Sequence, residues 1–214
     1  MLNDRFGRRE FLKFSAAAVA FPILNGCRDS TLAQSTGNDL LAKLRANAIN
    51  DPRNEWWGAI EVPAGVSSRT NLRASVDKGD VLRISGAVYD AEDKPVPNTL
   101  IYFYHTDVYG IYGRDGEHRH GRFRGWLLTD SDGRYEIETI RPASYPNSTI
   151  AAHIHMTLTT LEKKEDWIDS IVFEGDRFLT PRDRTNTRGG FDPIVRLEET
   201  EKGVFKGVRK IRLV

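Results

Sequence analysis

Residues 126–140, WLLTDSDGRYEIETI, read as strand, turn and strand. The apolar run Trp126-Leu127-Leu128 leads into Asp130-Ser131-Asp132-Gly133, whose residue types tolerate the backbone of a tight reversal. Beyond it, Tyr135, Ile137 and Thr139 alternate with charged residues at the period of an extended chain. The stretch is therefore expected to form a hairpin, and similar runs extend on both sides of it: VLRISGAVYD from Val81, TLIYFYHTD from Thr99, IAAHIHMTLTT from Ile150, SIVFEGD from Ser170 and VRKIRLV from Val208. Short strands at this spacing predict an all-β chain, an antiparallel β-sandwich with long loops and a short N-terminal helical extension.

One of these runs carries two of the chain's five histidines. Along Ala152–Leu158, period two puts Ala152, Ile154, Met156 and Leu158 on one face and His153, His155 and Thr157 on the other. Same-face neighbours on a strand lie about 6–7 Å apart, so the two imidazoles can converge on one ion. Taken alone, the pair better suits two hydrogen-bonded histidines on a half-exposed strand, and only further ligands elsewhere would favour a metal. Two long loops could supply them. One runs from Asp107 to about Gly125 with Tyr109 and Tyr112, the other from Arg141 to Thr149 with Tyr145. Long loops on a rigid sheet are where binding groups usually sit.

The chain has 214 residues, 39% of them hydrophobic, enough for one sizeable core. Lys plus Arg total 31 against 30 for Asp plus Glu. With no basic face in that balance, nucleic acid is not expected as a partner. At the N-terminus Arg8 and Arg9 precede Phe11-Leu12-Lys13 and the apolar run Phe14–Leu24, which is too short to span a bilayer. Residues 1–27 thus read as a twin-arginine-type signal peptide whose end, Leu24-Asn25-Gly26-Cys27, looks like a lipobox. Asn25 is not a preferred residue there, so Cys27 is either a lipidated N-terminus or a spare thiol. As the chain's single cysteine it forms no intrachain disulfide. Residues 28–55 read as a tether with a short helix around Asn38–Ala48, and 56–214 as the sandwich domain. The protein is expected outside the cytoplasm, periplasmic or at the cell surface, with a lipid on Cys27 as its only membrane attachment. Trp56 and Trp57 are expected to pack on the domain.

Five motifs in order, ISGAVYDAEDKPVPN, YHTDVYGIYG, FRGWLLTDSDGRYEIETIRPASYP, AHIH and FEGD, cover about residues 80–180. In that order they resemble the intradiol ring-cleavage dioxygenases, the catechol and protocatechuate 3,4-dioxygenase family. The resemblance implies a non-haem Fe(III) cofactor held by two tyrosines and two histidines. The histidines fall on His153 and His155, the tyrosine of the family's Gly-x-Tyr on Tyr112, with Tyr109 as the weaker candidate, and the axial tyrosine on Tyr145. It also implies a small catecholic aromatic and O2 as substrates. The catechol would bind as a dianion in place of the Tyr145 phenolate, with Tyr145 as base, and be cleaved between its hydroxyl-bearing carbons to a cis,cis-muconate. Relatives are often dimers or larger, which leaves a homo-oligomer open.

Two positions depart from the family. Its arginine before His-x-His is Ile150 here, and its accompanying glutamine is Ser170. Groups of that kind contribute about 3 kcal/mol each in a dry site. Arg122 or Arg124 could supply the missing charge from the neighbouring loop, the alternative being a solvated or salt-bridged loop. The departures also fit a second function, a ferric-iron- or catecholate-binding lipoprotein without ring cleavage. A third is a metal-free surface sandwich in which His153 and His155 are structural. His118 and His120, in the loop sequence EHRHGR, read as solvent-exposed; His105 has no assignment.

Overall fold

The computed structural model describes residues 29–51, 56–113, 118–185 and 188–213, so the signal-like segment 1–27 with Cys27 lies outside the described residues. A helix, α1 (Asp29–Ala46), comes first; it is longer than expected at its start and ends two residues earlier. The strands follow: β1 (Arg69–Asn71), β2 (Val81–Tyr89), β3 (Leu100–His105), β4 (Arg124–Leu128), β5 (Arg134–Ile140), β6 (His153–Thr159), β7 (Asp166–Phe173), β8 (Ile194–Val195), β9 (Glu198–Glu201), β10 (Val204–Val208) and β11 (Ile211–Arg212). They form two sheets. One has the order β1-β5-β2-β10-β9 with β11 also on β2; the other has the order β4-β3-β6-β7-β8.

The reversal at 130–133 forms as expected, with Gly133 at φ +69 and its N–H donating to the Asp130 carbonyl at 3.0 Å. The strands it joins do not pair with each other. β4 pairs with β3 and β5 with β2, so the turn carries the chain from one sheet to the other and is no hairpin. The reason joins a local set of bonds to a long-range one. Asp130 Oδ1 accepts the Asp132 and Arg134 N–H groups within the turn. Thr129 Oγ1 instead accepts the Thr99 N–H at 2.9 Å, committing the preceding strand to β3. Turn residues specify a reversal, not the partner of the strands beside it. The sandwich is also mixed: β1 on β5, β10 and β11 on β2, and β8 on β7 are parallel additions to an antiparallel centre.

Between the sheets, Leu82, Ile84 and Ile137 meet Phe103, Leu127, Ile154, Met156 and Ile171. The other face of the β3–β6–β7 sheet is covered too, because α1 and a 3-10 turn at Ala59–Glu61 bury Leu41, Leu44, Ala59, Val62 and Leu100 against it. The buried carboxylate of Glu165 ties this cover down. It accepts the Gly58 and Ala59 N–H groups at 2.9 and 3.0 Å and the Thr157 hydroxyl at 2.8 Å. Gly58 lies on the Tyr102 ring so closely that a Cβ would stand 2.3 Å from it. Hence all seven residues of β6 are buried, although only alternate ones face the core.

Candidate metal centre

His153 and His155 project from the covered face of β6, as its period requires. The strand's start is fixed by the aspartate of FEGD, Asp176, whose Oδ2 accepts the Ala152 N–H at 3.0 Å. Opposite His155, the β6–β7 register shifts: Ile154 pairs with Ile171 but Met156 with Ile168. Asp169 and Ser170 fall between two core isoleucines, and such a bulge re-aims side chains beside a site. Ser170 Oγ lies 3.1 Å from His155 Nδ1.

The two long loops bring the tyrosines in. Asp107 Oδ1 accepts the Tyr109 and Ile111 N–H groups, which coils the chain just ahead of Tyr112. The Thr106 hydroxyl donates to the Ala143 carbonyl at 2.6 Å, and the Ala143 N–H to the Asp107 carbonyl at 3.1 Å. Gly110, at φ +77, lets the backbones touch where a Cβ would meet the Ser144 carbonyl at 2.0 Å. So clamped, the loops place the Tyr112 and Tyr145 hydroxyls in contact. Tyr145 Oη is 3.1 Å from His153 Nε2 and 3.3 Å from His155 Nε2, and the two Nε2 atoms are 2.9 Å apart.

This cluster fits a cation. His153 Nδ1 faces the Ala151 carbonyl at 2.7 Å, an acceptor only, so Nδ1 carries the proton and Nε2 presents its lone pair. Burial lowers the pKa of His153 and, helped by the neighbouring imidazoles, lowers that of His155 well below the usual range, so both rings are neutral at pH 7. Burial raises the Tyr145 pKa, opposed by its contact with Tyr112. Oxygen and nitrogen donors thus converge on one point with more lone pairs than protons to share.

The cluster lies in the wall of a cavity of about 680 Å³. Tyr109 is not there; it is exposed, 3.4 Å from Lys78 Nζ. Nor are Arg122 and Arg124. Arg122 pairs with Asp77 and donates to the Leu72 carbonyl, and Arg124 donates to the Gly121 carbonyl at 2.8 Å. The guanidinium groups lining the cavity belong to Arg119 and Arg182. Ile150 lines it too and is exposed. Against expectation, Ser170 supports His155. Trp56 is also a cavity residue, its ring edge-on to His155 with centroids 4.5 Å apart. His120 is buried rather than solvated, stacked on Tyr104 at 3.7 Å and bonded through Nδ1 to the Tyr102 hydroxyl. His118 faces Glu61 at 3.2 Å. His105 is structural, between Thr106 and Thr139, and burial pushes its pKa down to about 4. The bulge and the burial of His120 had no signal in the local pattern.

A family model described as "Dioxygenase" matches residues 62–189. Catechol 1,2-dioxygenase of Acinetobacter baylyi is 34% identical over 70 residues, 31% of this chain and 22% of that protein. The protocatechuate 3,4-dioxygenase beta chain of Burkholderia cepacia is 29% identical over 112 residues, 47% of this chain and 48% of that one. The chain thus spans half or less of the length of these curated relatives. Among solved structures, the dioxygenase domain of a dioxygenase carbohydrate-binding protein fusion from the cellulolytic bacterium Streptomyces sp. SirexAA-E superposes with a TM-score of 0.53 at 25% identity, over 71% of this chain and 90% of that one. Catechol 1,2-dioxygenase of Acinetobacter sp. ADP1 shares the fold at a TM-score of 0.56 and 20% identity, over 88% and 73%. A match over 62–189 that takes in both tyrosine loops, the AHIH strand and FEGD makes the chain a member of the intradiol ring-cleavage dioxygenase family.

Proposed function

We propose that the protein is a non-haem Fe(III)-dependent intradiol dioxygenase, opening a catecholic ring with O2 to a cis,cis-muconate-type product outside the cytoplasm. The observation that carries this reading is the convergence of Tyr112, Tyr145, His153 and His155 in a cavity wall. These four residues would hold the iron. Bound there, a hard trivalent cation favours the phenolate and catecholate forms and draws electron density from the ring. Each donor has a part of its own. The imidazoles stay neutral through burial, so their Nε2 lone pairs are available at pH 7. Ala151 and Ser170 fix the rings from behind, the outer support that sets a ligating histidine's orientation. Tyr145 Oη, central to the cluster, is placed to take the proton a catechol gives up on binding. Arg8, Arg9 and the apolar run to Cys27 support export, with lipidation at Cys27.

Iron analysis and a visible spectrum, before and after adding catechol under air, test the reading. The expected result is a tyrosinate-to-iron band that shifts with catechol and decays as muconate appears. Tyr145→Phe is expected to lower turnover by about 10²–10⁴-fold, the range of one positioned proton acceptor. Iron-free, colourless protein after growth in iron-replete medium would overturn it. A second reading, catecholate binding without ring cleavage, draws support from Ile150 standing exposed where the family has its arginine, with neither Arg122 nor Arg124 in the cavity. A band that shifts with catechol and then persists would favour it.

A further inference from the structure

The cavity is larger than the ring its donor cluster would engage. About 680 Å³ is the size class of sites that enclose multi-ring ligands, whereas a catechol is one benzene ring and two oxygens. The surplus space is walled by indoles. Trp56 and Trp167 both line it, their centroids 6.4 Å apart at 38°, and they remain 41% and 40% exposed. Neither is loose. Trp56 leads into the Gly58–Ala59 backbone held by Glu165, and Trp167 is backed by the Arg188 guanidinium 4.2 Å from its ring. Ile150, 54% exposed, adds an apolar wall where the family arginine would put a charge.

The cavity's polar groups are mostly engaged. Arg119 donates to the Trp57 carbonyl at 2.8 Å, and Asp183 Oδ2 accepts the Thr180 N–H and hydroxyl, each at 2.7 Å.

We propose that Trp56, Trp167 and Ile150 form a subsite beside the metal centre for the second ring of a two-ring, aryl-substituted catechol. The indoles take the ring. The assignment rests on the reading of the donor cluster as the catechol-binding centre.

Calorimetric titration of the full iron-loaded chain without oxygen, using catechol and phenyl-substituted catechol, tests it apart from turnover. The phenyl-substituted catechol is expected to bind at least tenfold tighter than catechol. Trp167→Ala should cut that ratio about tenfold, an effect in the range of one aromatic pair, and Trp167→Phe should restore most of it. Equal affinity for one-ring and two-ring catechols, or a ratio that Trp167→Ala leaves unmoved, overturns the subsite. If the ratio behaves as expected but no catechol is cleaved under air, the subsite stands and the dioxygenase reading falls.

Discussion

His153-Ile154-His155 and His118-Arg119-His120 are the same pattern on two backbones. On β6 the pleat sends both rings to one face, and their Nε2 atoms meet at 2.9 Å. In the loop the rings are 5.2 Å apart at 72° and part company: His118 turns to Glu61, while His120 drops onto Tyr104 and Tyr102. A strand makes co-facing donors out of alternate residues. A loop lets each find its own partner, so the same doublet yields one converging pair in the first case and two separate contacts in the second.

The largest effect is expected at the strand. His155→Ala is expected to reduce bound iron to near zero stoichiometry and to remove turnover with it, as read by metal analysis and oxygen uptake. Retention of iron there, together with its loss in His120→Ala, would reverse the roles given to the two doublets. His120→Ala should act on folding instead. Losing a buried ring and leaving the Tyr102 hydroxyl unpaired is expected to cost about 2–4 kcal/mol in urea unfolding, with iron content kept. Ser170→Ala sharpens the strand side: without its contact to His155 Nδ1, iron affinity in a chelator competition should fall about 10–100-fold. His118→Ala should change least, under about 1 kcal/mol in the same unfolding assay, because its pairing with Glu61 is partly solvated.

The central strands β2 to β6 and the two faces of β6 were legible in the sequence, because period two is a property of neighbouring residues; Tyr112, Tyr145, His153 and His155 were named only through the family resemblance, and the fold brings them together. The reversal at Gly133, whose positive φ is a local demand, was legible too. The partners were not. Whether the strand after Asp130-Ser131-Asp132-Gly133 folds back on β4 or crosses to β2 depends on Thr129 and Thr99, thirty residues apart. Whether Ser170 meets His155 depends on a bulge that only appears once β7 is laid against β6. Arg122 and Arg124, near the site in the chain, are drawn away by Asp77 and by the Gly121 carbonyl, while Trp56, remote from it, is held over His155 by the hydrogen bonds of its neighbours to Glu165. Local pattern sets which way a side chain points. What stands there to meet it is decided by long-range contacts, and these are absent from any window of the sequence.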